Sequence, residues 1–316
     1  LKLAKRAQVF IESSRPGVME RLGLGFADLV RVKGDIVYLS ISGWGQRGPN
    51  REQPMVDTVA QAISGLMSVA RSREGAPVKI NATLIDAVTG LYAFQAVTMA
   101  LWGKAPGSGP HHIDVNLLQA GAHVQVYNIL EHAYVGEHPG LLNPPAGNYR
   151  TKDSWIAVTL VTEAQFKAIC TAIGKPELAE DARFCTFQSR KANAAALTEI
   201  LDAALAARTT AEWAVRFAEA GAMASRINTH GDWLDNPHVQ AVAAAPPYPL
   251  GNGESVRLPH LPGMPPFNAP VPRIGEHTLA LLAEAGLSPA EIDRIISRGI
   301  ARPAQDTVPG RGSEHS

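Results

Sequence analysis

Asp86 is the residue of this 316-residue chain best placed to do chemistry. Leu84-Ile85 runs into it, and a long apolar helix follows through Trp102, so it stands at a strand-like to helix junction. Aspartate in such a place caps a helix by accepting its first backbone N–H groups. The same place points a carboxylate into the crevice where ligands bind, at the C-terminal ends of the strands of an α/β sheet. The positive end of the helix dipole favours the ionised form, which is the nucleophilic one. Capping and nucleophilic attack are compatible readings of this one side chain.

Asp57 falls on the helix after a glycine-rich turn and reads as part of a solvated helix face. His111-His112-x-Asp114 offers metal-ligating types, but no second ligand group lies at a supporting spacing, so it reads as structural and no metal is expected. Glu131-His132 and Glu137-His138 do not form H-E-x-x-H, and there is no G-x-S-x-G. Gly43-Trp44-Gly45-Gln46-Arg47-Gly48 matches G-x-G-x-x-G after a strand. Pro49 and Asn50 follow it, however, so no helix opens there to hold a pyrophosphate. The loop reads as a turn, or as a place where backbone approaches a ligand. Arg15 and Arg21 flank Pro16-Gly17. They read as solvated cations, or as phosphate ligands through the planar fork of arginine.

The elements that must position these residues are legible. Val9-Phe10-Ile11, Ile36–Ser42 and Ile113–Leu117 read as strands, the second one buried. Short helices are expected at Val18–Leu24 and, interrupted by Gly65, at Val56–Ala70, and a further helix reaches about Tyr134. Strands alternating with helices argue for an α/β unit with a parallel sheet. After a loop at 136–148 crowded with glycine and proline, Trp155–Val161 reads as a strand. Three alanine-rich helices follow near 163–173, 192–208 and 210–220. Ser255–Leu258 reads as a short strand, and helices follow near 275–286 and 289–298. Ser288, Pro289 and Glu291 make a capping box with proline in the first turn. The expected organisation is a large domain over 1–135, a smaller one over 136–249, a return to the large domain over 250–302, and a disordered tail over 303–316.

Lys+Arg and Asp+Glu both number 29, so the formal net charge is zero. That exerts no long-range pull toward nucleic acid or an anionic membrane, and neither is expected as a partner. The two cysteines, Cys170 and Cys185, make no disulfide framework and fit a reducing, cytoplasmic location. No apolar run reads as long enough to cross a bilayer, and no signal peptide is evident. The chain opens on Leu1 within what reads as a helix ending at Ala7, so an N-terminal portion is expected to be absent.

In this order, several segments resemble the class III (CaiB/BaiF-type) coenzyme A transferases. Ile11–Leu24, with Arg15-Pro16-Gly17 and Arg21-Leu22-Gly23-Leu24, is similar to that family's ENFRPG…RLGL stretch. Ser40–Pro49 is similar to SISGFGQTGP, Ala60–Met67 to AQAxSGLM, Asp86–Ala93 to DxxxGxYA and Ile113–Leu118 to VDVSLL. Tyr149–Asp153 and Ile274–Thr278 also fit. The resemblance implies a Rossmann-type parallel-sheet large domain, N-terminally incomplete here, with a smaller α+β domain, an interlocked homodimer and an active site between domains. It implies Asp86 as the catalytic aspartate, which attacks an acyl-CoA thioester while backbone N–H groups stabilise the oxyanion. Arg21 matches a CoA-contacting arginine, with Ser13, Ser14 and Arg15 beside it where Ser13 and Ser14 replace Asn and Phe. Asp57 matches an acidic position of the substrate pocket, next to Val56, where tyrosine or histidine is frequent. The implied substrates are an acyl-CoA and a small carboxylic acid, with no permanently bound cofactor. The alternatives are an α-methylacyl-CoA racemase, whose histidine base would fall at Val56, and a non-catalytic CoA-binding remnant.

Overall fold

The computed structural model describes residues 1–72, 75–105, 107–136, 143–250, 253–266, 269 and 271–304. The chain divides into two compact units, Leu1–Glu137 with Ile274–Ser316, and His138–Arg273. Much of the expected loop at 136–148 and nearly all of the expected tail from 303 lie outside the described residues.

The first unit is built on three parallel strands in the order β1 (Val9–Glu12), β2 (Val37–Ser42) and β3 (His111–Asn116). Val37 to Ser40 of the central strand are all buried, because a strand flanked on both sides and covered on both faces offers nothing to water. On one face Tyr38 stacks on Phe10 and meets Phe26 and His112 edge-on. Its hydroxyl donates to the Leu24 carbonyl. His112 therefore belongs to this aromatic layer, where Phe26 stacks on it and the Ser40 hydroxyl lies 3.0 Å from Nε2. Among the described residues no group of three metal-ligating side chains occurs.

Around β1 and β2 lie two short helices, α1 (Val18–Arg21) and α2 (Phe26–Val32). The crossover from β2 to β3 carries α3 (Asp57–Ile63), α4 (Leu66–Val69) and α5 (Leu84–Trp102). The first two part at Gly65, whose φ of 86° is left-handed, a conformation that costs glycine no side-chain clash. β3 leads into α6 (Leu117–Val124) and α7 (Val126–Val135). These two are separate where one helix was expected, because the buried Gln125 turns its amide onto the Ser64 and Gly121 carbonyls.

Two expectations are corrected by α5. Its 19 residues are, by length and composition, long and apolar enough to cross a membrane. The polar residues along it disguise that in the sequence. It lies as the crossover helix of the sheet, burying Ile85, Thr89 and Ala93, while Leu91, Phe94, Met99 and Trp102 face outward. Nor does it start at Asp86. Thr83 holds the N-cap, and Asp86 is the third helical residue, preceded by a bend at 81–82 rather than a strand. At the far end of α5, Lys104 pairs with Asp35 at 2.8 Å, just before β2 begins. Lys104 and Lys33 together hold the Asp35 carboxyl down to about 2. α5 thus runs antiparallel to the strands, and Asp86 lies at the level of their C-terminal ends.

The unit is completed by α14 (Thr278–Glu284) and α15 (Pro289–Ser297), counted in chain order. Lys2 reaches the Gly286 carbonyl and Arg6 pairs with Glu284, while Ser288 and Glu291 form the expected capping box.

The second unit has an antiparallel sheet in the order β4 (Gly147–Arg150), β5 (Trp155–Thr159) and β6 (Met223–Arg226). Against it pack α8 (Glu163–Ala172), α9 (Phe187–Ala192), α10 (Ala194–Leu205) and α11 (Thr210–Glu219). Leu197, Leu201 and Leu205, four residues apart, line one face of α10 and are fully buried with Trp213 and Phe217 of α11. The family-like segment Tyr149–Asp153 has a structural role in this unit. Asp153 accepts from the Thr210 backbone and hydroxyl at the start of α11, which holds its carboxyl below the usual carboxylate range.

Two short helices, α12 (His230–Leu234) and α13 (Pro237–Ala241), precede a hairpin of β7 (Pro247–Pro249) and β8 (Ser255–Arg257). The expected return to the first unit at residue 250 therefore comes later, at Ile274. The reason is that β8 pairs back onto β7 and Arg257 ties it to Leu234 and Asp235.

Candidate active site

The glycine loop after β2 is held down onto the ends of the strands. Gly45 N–H donates to the Ser42 hydroxyl, Gln46 N–H to the Asp114 carboxylate at 2.9 Å, and Leu118 N–H to the Gly43 carbonyl. No helix opens at these glycines, in keeping with the reading against a dinucleotide site. Their smallness serves close packing. A Cβ on Gly43 would lie 2.3 Å from the Cβ of Met55, and one on Gly45, at φ 90°, would lie 3.1 Å from Asn116 Nδ2. Gly43→Ala should therefore push Met55 and the start of α3 aside. A loss of about 1–3 kcal/mol in urea unfolding is expected, the scale of overpacking, with a matching fall in activity because Asp57 lies two residues beyond Met55.

Asp57 is not on a solvated face. It is buried at 6% exposure, in the first turn of α3 behind Val56, whose own side chain caps nothing and is exposed. Its Oδ2 accepts from the N–H groups of Ile85 at 2.7 Å and Asp86 at 3.3 Å. Those are the second and third residues of α5, the groups an N-cap side chain normally satisfies. Thr83, the N-cap by position, makes no side-chain cap bond. Asp57, 28 residues earlier, does this instead. Its Oδ1 accepts from the buried Gln61 at 2.5 Å.

Asp86 projects from this first turn beside Asp57. No described donor reaches its carboxylate. Partial burial and then the neighbouring Asp57 charge raise its pKa above the ordinary aspartate value. That corrects the expectation from the helix dipole: the α5 amides that would favour the anion are already spent on Asp57. For the same reason the Ile85 and Asp86 N–H groups are not free to stabilise an oxyanion. A raised pKa means that the proton is held to higher pH, so the nucleophilic carboxylate forms only above the usual range. Asp57→Asn keeps one acceptor oxygen for α5, with its NH2 set against Gln61 Nε2, and removes the repelling charge. The acid limb of the pH–activity profile should then move to lower pH.

Ser13, Ser14, Arg15 and Arg21 gather on the turn after β1 and on α1, also at the C-terminal edge of the sheet. Ser14 N–H donates to Glu12 Oε2 at 2.7 Å, and Val18 N–H to the Arg15 carbonyl. Ser13, Arg15 and Arg21 are exposed. The structure thus brings Asp57, Val56 and Asp86 together as one cluster and sets the Ser13–Arg21 residues on a neighbouring loop of the same edge. Gln61 is the residue that the sequence reading missed. Its signal was the four-residue spacing from Asp57, which puts both on one helix face.

A parallel α/β unit with a carboxylate at the C-terminal edge of its sheet, on a helix capped by a second carboxylate, is an α/β fold with a candidate acid–base or nucleophilic carboxylate site. Comparison with known proteins narrows it. The profile of CoA-transferase family III matches residues 1–278, and the chain belongs to that family. It is 31% identical over 220 residues to the acetyl-CoA:oxalate CoA-transferase of Acetobacter aceti, covering 67% of this chain and 57% of that protein. It is 28% identical over 323 residues to the succinyl-CoA:glutarate CoA-transferase of Mus musculus, covering 95% and 71%. The chain thus spans little more than half the length of the first relative and about 70% of the second. Among solved structures it is similar to Rv3272 of Mycobacterium tuberculosis, with TM-score 0.77, 28% identity and 88% and 78% of the two chains covered. It is also similar to a CaiB/BaiF family protein of Brucella suis, with TM-score 0.76, 27% identity and coverage of 90% and 77%.

Proposed function

We propose that this chain acts as an acyl-CoA:carboxylate CoA transferase through a covalent intermediate on Asp86. The observation that carries the reading is the unpaired Asp86 carboxylate at the sheet edge, with a raised pKa and a buried second carboxylate beside it. An Asp86 oxygen attacks the thioester carbonyl carbon, the C–S bond breaks, and CoA leaves as the thiolate, giving a mixed anhydride. The thiolate attacks the Asp86 carbonyl, releasing the donor acid and forming an aspartyl-CoA thioester. The acceptor carboxylate attacks that thioester, again expelling CoA thiolate. The thiolate then takes the acyl group of the new anhydride and returns Asp86 as a carboxylate. Four acyl transfers, through two anhydrides and one aspartyl thioester, thus replace direct attack of a weak nucleophile on a single thioester.

Arg21, with Ser13, Ser14 and Arg15, is assigned to the CoA phosphates, for which arginine supplies a planar set of donors. Coenzyme A is a substrate in this scheme, and no resident cofactor is needed. The chain is taken as a cytoplasmic homodimer. Val56 speaks against a racemase. It occupies the N-cap position of α3 with an apolar side chain, so the second base of a two-base proton transfer is missing there.

The test is transfer from acetyl-CoA and succinyl-CoA to oxalate, glutarate and related acids, followed by chromatography of the CoA esters. Formation of a new acyl-CoA supports the proposal. Exchange of the α-proton of a 2-methylacyl-CoA in deuterated water, with no transfer, would replace it with the racemase reading. Arg21→Ala should raise the KM for the CoA donor about tenfold with little change in kcat, as loss of one charged hydrogen bond does.

A further inference from the structure

We infer that Gln61 is a positioning residue for Asp86, acting through Asp57: its amide fixes both the carboxylate that caps α5 and the backbone that leads into α5. The inference rests on the reading of Asp86 as the reacting carboxylate.

Gln61 is fully buried, and every polar atom of its side chain is used. Oε1 accepts from Ile80 N–H at 3.0 Å. Nε2 donates to Asp57 Oδ1 at 2.5 Å and to the carbonyls of Ile80 at 3.0 Å and Ala82 at 3.2 Å. The chemistry fixes the amide orientation. Flipped, it would set an oxygen against three acceptors and an NH2 against an N–H donor. Residues 80 to 82 run directly into Thr83, the N-cap of α5. Asp57 and Gln61, one turn apart on α3, therefore grip the start of α5 at two points. Asp57 holds the N–H groups of its second and third residues, and Gln61 holds the chain just before it and Asp57 itself. A helix whose own N-cap makes no side-chain bond has its first turn set by this outside pair.

The elements packed against α5 carry few other groups that could act on Asp86. They are Tyr38 on β2, His111, His112 and Asp114 on β3, and His123 on α6, which bonds the Tyr92 hydroxyl at 2.8 Å. Asp57 is the charge that acts on the Asp86 carboxyl. Anything that lets Asp57 move away, or take up a proton, weakens that repulsion and frees α5 amides to favour the Asp86 anion. Both consequences lower the Asp86 midpoint, so the expected change is downward.

The test is a carboxyl 13C NMR titration of the full chain, with the Asp86 resonance assigned through Asp86→Asn. It needs no turnover, so it can fail separately from the transferase reading. Asp57→Asn should lower the Asp86 midpoint toward the ordinary aspartate value. Gln61→Met should lower it as well and should speed hydrogen exchange at the Ile85 and Asp86 amides, with exchange in the second half of α5 unchanged. Gln61→Asn, an amide too short to reach both Asp57 and the 80–82 backbone, gives the second reading if Gln61→Met does not fold. An Asp86 midpoint unmoved in the folded Gln61 variant, while Asp57→Asn shifts it, would overturn the inference and leave Gln61 a strut. A midpoint unmoved by Asp57→Asn would overturn the coupling itself.

Discussion

Asp86→Asn should lower CoA transfer by about a thousandfold or more, because it removes the atom that forms the covalent bond. The fold should be untouched. Asp86 is only partly desolvated and keeps an exposed surface, its carboxylate holds no described partner, and the α5 amides are capped by Asp57. Thermal midpoints of variant and parent should agree within about 2 °C, as for surface substitutions. CoA binding should persist, since the residues assigned to CoA lie on the loop after β1. Asp86→Ala guards against slow deamidation of the asparagine. The effect should fall on kcat, as loss of an interaction made only during reaction does. A variant that keeps a tenth of the parent activity would remove Asp86 from the nucleophile role.

The largest expected effect on stability lies in the second unit, at Arg190. This arginine has 0% exposure. Its Nε donates to the Pro144 carbonyl at 3.1 Å and its Nη1 to the Phe184 carbonyl at 2.7 Å. Glu163 pairs with it at 2.8 Å, and the rings of Phe166 and Phe187 lie 4.2 and 4.4 Å from the guanidinium. Glu163 also accepts from Phe187 N–H, so the ends of α8 and α9 are tied through this one cation. Arg190→Ala leaves two carbonyls without donors and a cavity between two aromatic rings. A loss of about 3–5 kcal/mol follows from those terms together. Arg190→Met, which refills the space, should recover part of it. Urea unfolding of the full chain reads both. A change below about 0.5 kcal/mol for Arg190→Ala would mean that the guanidinium does not hold this core together.

Arg190 also shows where a sequence stops being informative. Nothing in Ser189-Arg190-Lys191 separates the buried arginine from the exposed lysine beside it. The strands were legible because β-branched and aromatic runs bounded by turns have few other uses. Val37–Ser42 and His111–Asn116 lie within two residues of the expected strands Ile36–Ser42 and Ile113–Leu117. The Ser288 capping box was legible because both its partners lie within four residues. The active-site cluster was legible only in part. Asp86 and Asp57 could be picked out, yet Asp86 was assigned a capping role that Asp57 performs. That bond joins residues 28 apart in sequence, and no periodicity encodes it. The break at Gln125 failed to show for the same reason, since its amide partners lie on another helix as well as its own. The helix through Trp102 was legible, but that it is apolar over a membrane-spanning length was not, because Asp86, Thr89 and Gln95 interrupt the apolar run.

The most direct test of the central claim is intact-protein mass spectrometry after incubation with acyl-CoA donors, followed by hydroxylamine trapping and peptide mapping. A CoA or acyl adduct, or the derived hydroxamate, is expected on the peptide that contains Asp86, and none in Asp86→Ala. An adduct on another residue, or turnover without any adduct under conditions that trap aspartyl thioesters, would contradict it.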